Sequence, residues 1–236
     1  MKETKIIITK KKVNNKAKPL VVAIVVDRSG SMSNQVSDVI GGVNTFLETL
    51  KEDKTAPTNV SIITFDTVLE TLAENSPVET APKLTSENYF ARGGTSLLDA
   101  VKHAIEVTDK YVATCKKKPR VLLHISTDGQ ENSSKTTSAV VKTMVEERKK
   151  SGWIFVFGGQ GIDAWSTGTG LGFANNYNVG ARNMGVMYAS AGASANMMKS
   201  MDAGTYRDTV IGTLDFYAQS GTSAADLAKD NTDQTP

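Results

Sequence analysis

The sequence predicts an α/β fold, a mostly parallel sheet with helices on both faces. Two observations carry this. Residues 20–26, 121–126 and 153–157 are short, nearly unbroken apolar runs, the pattern of strands buried on both faces. Between them lie stretches whose apolar residues recur at spacings of three and four, the pattern of amphipathic helices.

In chain order, residues 1–18 carry seven lysines against one glutamate and read as a basic N-terminal arm. Residues 20–26 form the first strand. The helix expected over 34–50 places Val36, Val39, Ile40, Val43, Phe46, Leu47 and Leu50 on one side. Gly41 and Gly42 interrupt it, at about 1 kcal/mol each relative to alanine, which close packing against a neighbour would justify. Residues 60–65 and 68–72, joined by Asp66 and Thr67, read as a hairpin, which gives the sheet one antiparallel edge strand. A Pro-, Glu- and Thr-rich loop runs to Gly93 and Gly94. A helix over 97–113, a strand over 121–126, a helix over 137–150 and a strand over 153–157 continue the alternation. Beyond Gly158 the pattern weakens to a short helix (162–171), a short strand (177–179) and a helix (183–201). Residues 220–236 are small and polar and read as a flexible tail. The expected organisation is therefore one domain over 19–219 between the arm and the tail, without internal repeats.

The formal charge of +2 favours no class of partner. The lysine arm has no aromatic residues for base stacking, so it reads as solvated and nucleic acid is not favoured. No stretch approaches the ~18 apolar residues of a membrane span, and the N-terminus lacks a signal-peptide apolar core. Cys115, the single cysteine, excludes an intrachain disulfide and has no second soft ligand nearby. The expected location is a reducing cytoplasm.

Two buried strands end in aspartate: Asp27 in "DRSGSM" and Asp128 in "STDG". A third loop, "ARGGTSLLDA", offers Thr95 before a helix. In an open parallel sheet, ligands bind beyond the carboxyl ends of the strands where strand order reverses. Converged there, these loops supply carboxylates and hydroxyls without histidine or cysteine, a donor set for Mg2+ or Mn2+ rather than zinc. Taken singly, the residues have simpler roles. Asp27 and Asp128 would cap turns, Ser31 or Ser33 would cap the first helix, and Thr95 or Ser96 would pair with Asp99 in a capping box. Asp99 is read as a cap and Glu131 as a solvated loop residue.

Together, Asp27-x-Ser29-x-Ser31, Thr95 and Asp128 resemble the metal-ion-dependent adhesion site of the von Willebrand factor A domain family. Their order and spacing fit, as does the neighbouring "VSIITFD", and the resemblance extends over about residues 19–158. It implies a Rossmann-like, doubly wound sheet whose central strand carries the first motif. It also implies direct metal bonds from Ser29, Ser31 and Thr95, with Asp27 and Asp128 acting mostly through water. The remaining coordination position is commonly filled in this family by an Asp or Glu of a partner protein. The expected function is a non-enzymatic, Mg2+-dependent protein-binding module, adhesive or scaffolding, in which Arg28 points away from the ion. The partner's identity and the oligomeric state stay open.

A metal-assisted hydrolase or phosphotransferase is the enzymatic alternative, and nucleic-acid binding through the arm is a further one. Other signals are weak. "GTGLGF" (168–173) does not follow a buried strand, and no phosphate-binding G-x-x-x-x-G-K-[ST] loop is present. Asp27-Arg28-Ser29 lacks the second carboxylate of a dehalogenase-type phosphotransferase. His124 reads as a core residue and His103 as a surface or helix-packing residue, neither beside a strand-tip serine.

Overall fold

The computed structural model describes residues 17–161, 163–180 and 183–228. Residues 1–16 of the expected arm and 229–236 of the expected tail lie outside the described residues. Six strands form one sheet: β1 (Leu20–Asp27), β2 (Thr58–Phe65), β3 (Leu69–Pro77), β4 (Arg120–Thr127), β5 (Trp153–Gln160) and β6 (Asn175–Val179). Their order is β3-β2-β1-β4-β5-β6. Every pairing is parallel except that of β2 with the edge strand β3. The helices are α1 (Val36–Glu52), α2 (Leu97–Thr114), α3 (Ser138–Lys150), α4 (Ala164–Gly170), α5 (Met184–Met198), α6 (Ala203–Ile211) and α7 (Ala224–Ala228).

Strand β1 explains its own unbroken apolar run. Leu20, Val22, Ile24 and Val26 face a core built with α1 and α5, whereas Val21, Ala23 and Val25 face a second core built with α2 and α3. Successive strand residues point to opposite faces, so a strand covered on both sides has no polar positions to spare. The two faces meet helices differently. Helices α2 and α3 leave one side to solvent, but α5 buries Met187, Tyr188, Ser190, Ala191, Ser194 and Ala195 on several sides at once. Its packing on α1 is close. A Cβ added to Gly42 would lie 2.7 Å from the Tyr188 ring, whereas one on Gly41 would meet nothing within 4 Å. Only the first of the two helix-breaking glycines in α1 that sequence reading paired is thus unexplained by packing.

Several boundaries differ from expectation for physical reasons. The helix expected over 183–201 ends early, and a second helix, α6, follows where none was expected. Helix α5 stops at Met198, and Asp202 starts α6 by accepting hydrogen bonds from the Gly204 and Thr205 amides at 2.8 and 2.9 Å. Strand β3 runs on to Pro77, because its half-exposed edge position tolerates Glu74, Asn75 and Ser76. The stretch expected to be a tail from residue 220 stays packed through α7: Leu227 is buried, and its carbonyl accepts from the Gly180 amide at 2.8 Å. His124 lies in the core, with Nε2 2.7 Å from the Tyr217 hydroxyl, and burial pushes its pKa down to about 3. His103 contacts the Thr71 hydroxyl at 2.9 Å, at the packing of α2 on β3.

Candidate metal centre

Strand order reverses at β1, which pairs with β2 on one side and β4 on the other. Asp27 is the last residue of β1, and Asp128 follows the last residue of β4. Past Asp27 the chain turns into a short 3-10 helix over Gly30–Gln35, which swings Ser29 and Ser31 back over the strand end. Neither Ser31 nor Ser33 caps α1, which begins at Val36 without a side-chain cap.

The Asp27 carboxylate is fully buried. Its Oδ1 accepts from the Ser29 amide at 2.6 Å, and its Oδ2 accepts from the Thr127 hydroxyl. The Tyr89 hydroxyl donates to the Asp27 carbonyl at 2.6 Å, fixing the strand end from behind. The Ser29 and Ser31 hydroxyls lie 3.0 Å apart, and Ser31 donates to Asp128 Oδ1 at 2.5 Å. The Gln35 amide group donates to Asp128 Oδ2 at 3.0 Å. Thr95 is held through its backbone: its amide donates to Asn132 Oδ1 at 2.8 Å, and its carbonyl accepts from the Asn132 and Ser133 amides.

Where these groups point is shown by Gly129. A Cβ built there would lie 2.9 Å from Thr95 Oγ1, 3.3 Å from Ser31 Oγ and 3.5 Å from Ser29 Oγ. Three hydroxyls from two distant loops thus surround one small space, and glycine leaves it open. All five residues singled out from the sequence, Asp27, Ser29, Ser31, Thr95 and Asp128, are brought to this crevice. Ser29 and Thr95 form its buried floor, while Ser31 is exposed at the rim.

The electrostatics favour a cation. Burial pushes the Asp27 pKa up to about 6, against hydrogen bonds from Thr127 and Ser29, and the nearby Asp128 charge adds to the rise. Burial also raises Asp128, partly offset by the Ser31 hydrogen bond. Among the described residues neither carboxylate forms an ion pair. A cation between them would relieve both shifts, and the neutral hydroxyls beside them are hard oxygen donors of the kind Mg2+ and Mn2+ take. The residues present therefore fit such an ion. Among the described residues, no three His, Cys, Asp or Glu side chains gather into a cluster that could hold a metal, so the fit depends on the hydroxyls.

Two neighbours depart from their expected roles. Glu131 is not a solvated loop residue: its Oε2 accepts from the Leu98 amide at the start of α2, and its Oε1 accepts from the Ser133 and Ser134 amides. Asp99 does not close a capping box with Thr95 or Ser96. Its carboxylate instead accepts from the Lys135 and Thr136 amides, both at 2.9 Å. Thr127, Gln35 and Asn132 were not singled out by sequence reading. Of these only Thr127, next to Asp128 at a strand tip, carried a signal that could have been used. Arg28 does point away from the crevice, into a buried ion pair with Asp66 (Nε to Oδ2, 2.8 Å).

Residues 22–130 match the family model described as von Willebrand factor type A domain, and this span contains all five crevice residues. No curated protein matches the chain. Solved structures share the fold. A von Willebrand factor type A protein from Catenulispora acidiphila aligns with TM-score 0.57 and 14% identity, over 76% of this chain and 43% of that one. The chain thus spans less than half the length of that relative. The vWF domain of the type V pili tip protein Mfa5 from Porphyromonas gingivalis aligns with TM-score 0.56 and 10% identity, over 79% of this chain and 98% of that one. The manganese-loaded TRAP protein of Plasmodium vivax aligns with TM-score 0.51 and 19% identity, over 66% of this chain and 63% of that one. At these identities the likeness is one of fold. With the strand order, the doubly wound sheet and the matched span in agreement, residues 22–130 belong to the von Willebrand factor type A family.

Proposed function

We propose that the chain is a protein-binding module whose strand-end crevice takes Mg2+ or Mn2+ and, through it, an acidic side chain of a partner protein. The observation that carries this reading is the convergence of the Ser29, Ser31 and Thr95 hydroxyls beside Gly129, between two carboxylates raised by burial. Ser29, Ser31 and Thr95 would hold the ion, with Asp27 and Asp128 behind them. When bound, the ion supplies positive charge and a coordination position for an anionic oxygen. The chain's own part is to keep that position accessible. Ser31 sits exposed at the rim, while Thr127 and the Ser29 amide hold Asp27 in one orientation. A manganese-loaded structure of the same fold, the Plasmodium vivax TRAP protein, supports the choice of metal class.

The reading is binding rather than catalysis. Both histidines are engaged elsewhere, His124 with Tyr217 in the core and His103 with Thr71 on α2, so neither is at hand as a general base. Among the described residues no helix is long and apolar enough to cross a membrane. The lone thiol of Cys115 suits a reducing cytoplasm.

Calorimetric titration with Mg2+ and Mn2+ tests the centre. The wild-type protein should bind one ion, and a Ser29→Ala/Thr95→Ala double variant should bind none while keeping its circular-dichroism spectrum. Equal affinity in both proteins would overturn the assignment. Partner capture should likewise depend on the ion, failing in EDTA and returning with Mg2+.

A further inference from the structure

The loop that delivers Thr95 also carries a cation, Arg92, whose side chain is held in place. The Arg92 amide donates to the Arg28 carbonyl at 2.8 Å, and the Gly30 amide donates to the Gly93 carbonyl at 3.1 Å. These bonds tie the loop to the backbone between Asp27 and Ser31. The Arg92 side chain is 45% exposed, yet its Nε donates at 2.8 Å to Oδ2 of Asp66, which is only 2% exposed. Its guanidinium lies 5.0 Å from the centre of the Phe90 ring, itself 43% exposed. A buried carboxylate and an aromatic face therefore fix the guanidinium, leaving its two terminal nitrogens without a hydrogen-bond partner among the described residues.

Arg92 belongs to a small network of two guanidiniums and two carboxylates. The same Asp66 oxygen accepts from Arg28 Nε at 2.8 Å, so one carboxylate is divided between two guanidiniums. Glu70, the next acid, is engaged by Arg28 Nη1 at 2.5 Å. A planar guanidinium with free terminal N–H groups matches a carboxylate in two parallel hydrogen bonds. Because it is already oriented, little side-chain entropy is lost when it binds one. Arg92 meets Asp66 through Nε alone, so balancing that carboxylate leaves its terminal nitrogens available.

We propose that Arg92 is a second anchor for an acidic partner segment. One carboxylate of the segment sits at the Ser29–Ser31–Thr95 centre and a second pairs with Arg92, its aliphatic stem lying against Phe90. This rests on the metal-centre reading above and adds to it a partner chemistry: two acidic side chains at a fixed separation, not one.

The test uses the full chain and blocked glycine peptides containing either one Asp, or one Asp and one Glu separated by zero to three glycines. Mg2+ binding is first measured without peptide. Peptide affinities are then measured in saturating Mg2+ for wild type, Arg92→Gln and Arg92→Lys. At least one two-acid peptide should bind wild type about tenfold more tightly than the one-acid peptide. That advantage should largely vanish in Arg92→Gln and be partial in Arg92→Lys, which keeps the charge but not the fork. Mg2+ binding with no two-acid advantage would overturn this proposal alone. So would an advantage that persists in Arg92→Gln, including the case in which that variant merely melts earlier because Asp66 has lost a partner. Absence of Mg2+ binding in the first titration would overturn the metal-centre reading and this proposal with it.

Discussion

At position 129 the lack of a side chain keeps three hydroxyls within reach of one point, and the first prediction follows from that. Gly129→Ala would set a methyl group 2.9 Å from Thr95 Oγ1, in the space the ion would need. The variant should lose Mg2+ binding at least as completely as Ser29→Ala, and it should fold, because Gly129 lies in a half-exposed loop outside both hydrophobic cores. Retained affinity would place the ion elsewhere. A second prediction concerns Asp27, whose pKa stands near 6 in the fold against 3.8 for a free side chain. Between these values the folded state holds more protons than the unfolded chain, so the Asp27 contribution to stability falls as pH rises through that window. A shift of this size corresponds to at most about 3 kcal/mol. Melts of the metal-free protein in EDTA at pH 5 and pH 7 should show this slope, and Asp27→Asn should lack it. Mg2+ affinity should move the other way, weakening as pH falls through about 6 because the proton competes for the carboxylate. Identical pH profiles for wild type and Asp27→Asn would show that the raised pKa is not a property of the protein.

Elements on either side of the crevice are fastened by acids whose role the sequence concealed. Glu131 satisfies the Leu98 amide in the first turn of α2 and two amides of its own loop. Glu131→Ala should therefore cost about 1–2 kcal/mol, the usual cost of losing a helix cap, with Mg2+ affinity falling as well because the same loop positions Thr95. Thermal melts and calorimetry together check it; a variant as stable as wild type would mean that water replaces the carboxylate without cost. Arg28→Ala should cost more, about 3 kcal/mol, since buried Asp66 would keep only the half-exposed Arg92 as a partner. Sequence reading, from strand alternation, pointed Arg28 away from the ion. The direction was legible, but the acids awaiting it, buried Asp66 and exposed Glu70, are 38 and 42 residues away. The same limit separates what could be read from what could not. Strands such as β1 and β4 announce themselves because both faces are apolar, and the five crevice residues because motif spacing and strand ends coincide. The early end of α5 was hidden because that helix is buried on several sides and so lacks an amphipathic stripe, and α6 because only its Thr209 and Val210 are buried. The roles of Glu131 and Asp99 depend on which distant amides the fold brings to them, and no local pattern encodes that.

Across the whole molecule, the crevice sits at one end of a sheet held by two independent cores. β1 pairs along its length with both β2 and β4, and its residues alternate between a core with α1 and α5 and a core with α2 and α3. None of this packing passes through the hydroxyls of Ser29, Ser31 or Thr95, which come from loops beyond the strand ends. An ion there is a ligand of a finished fold, unlike a structural zinc whose removal unfolds its domain. Its effect on stability should therefore follow mass action, about 2.7 kcal/mol when Mg2+ stands at 100 times its dissociation constant. For a domain of this length that corresponds to a rise in Tm of about 5–10 °C. Adding EDTA should remove this rise while leaving the far-ultraviolet circular dichroism at room temperature unchanged. Asp27→Ala should show no Mg2+-dependent rise, because the carboxylate at the base of the crevice is gone. Cooperative loss of secondary structure on chelation would contradict the two-core account, since the sheet would then depend on the ion rather than on Val22, Ile24, Ala23 and Val25.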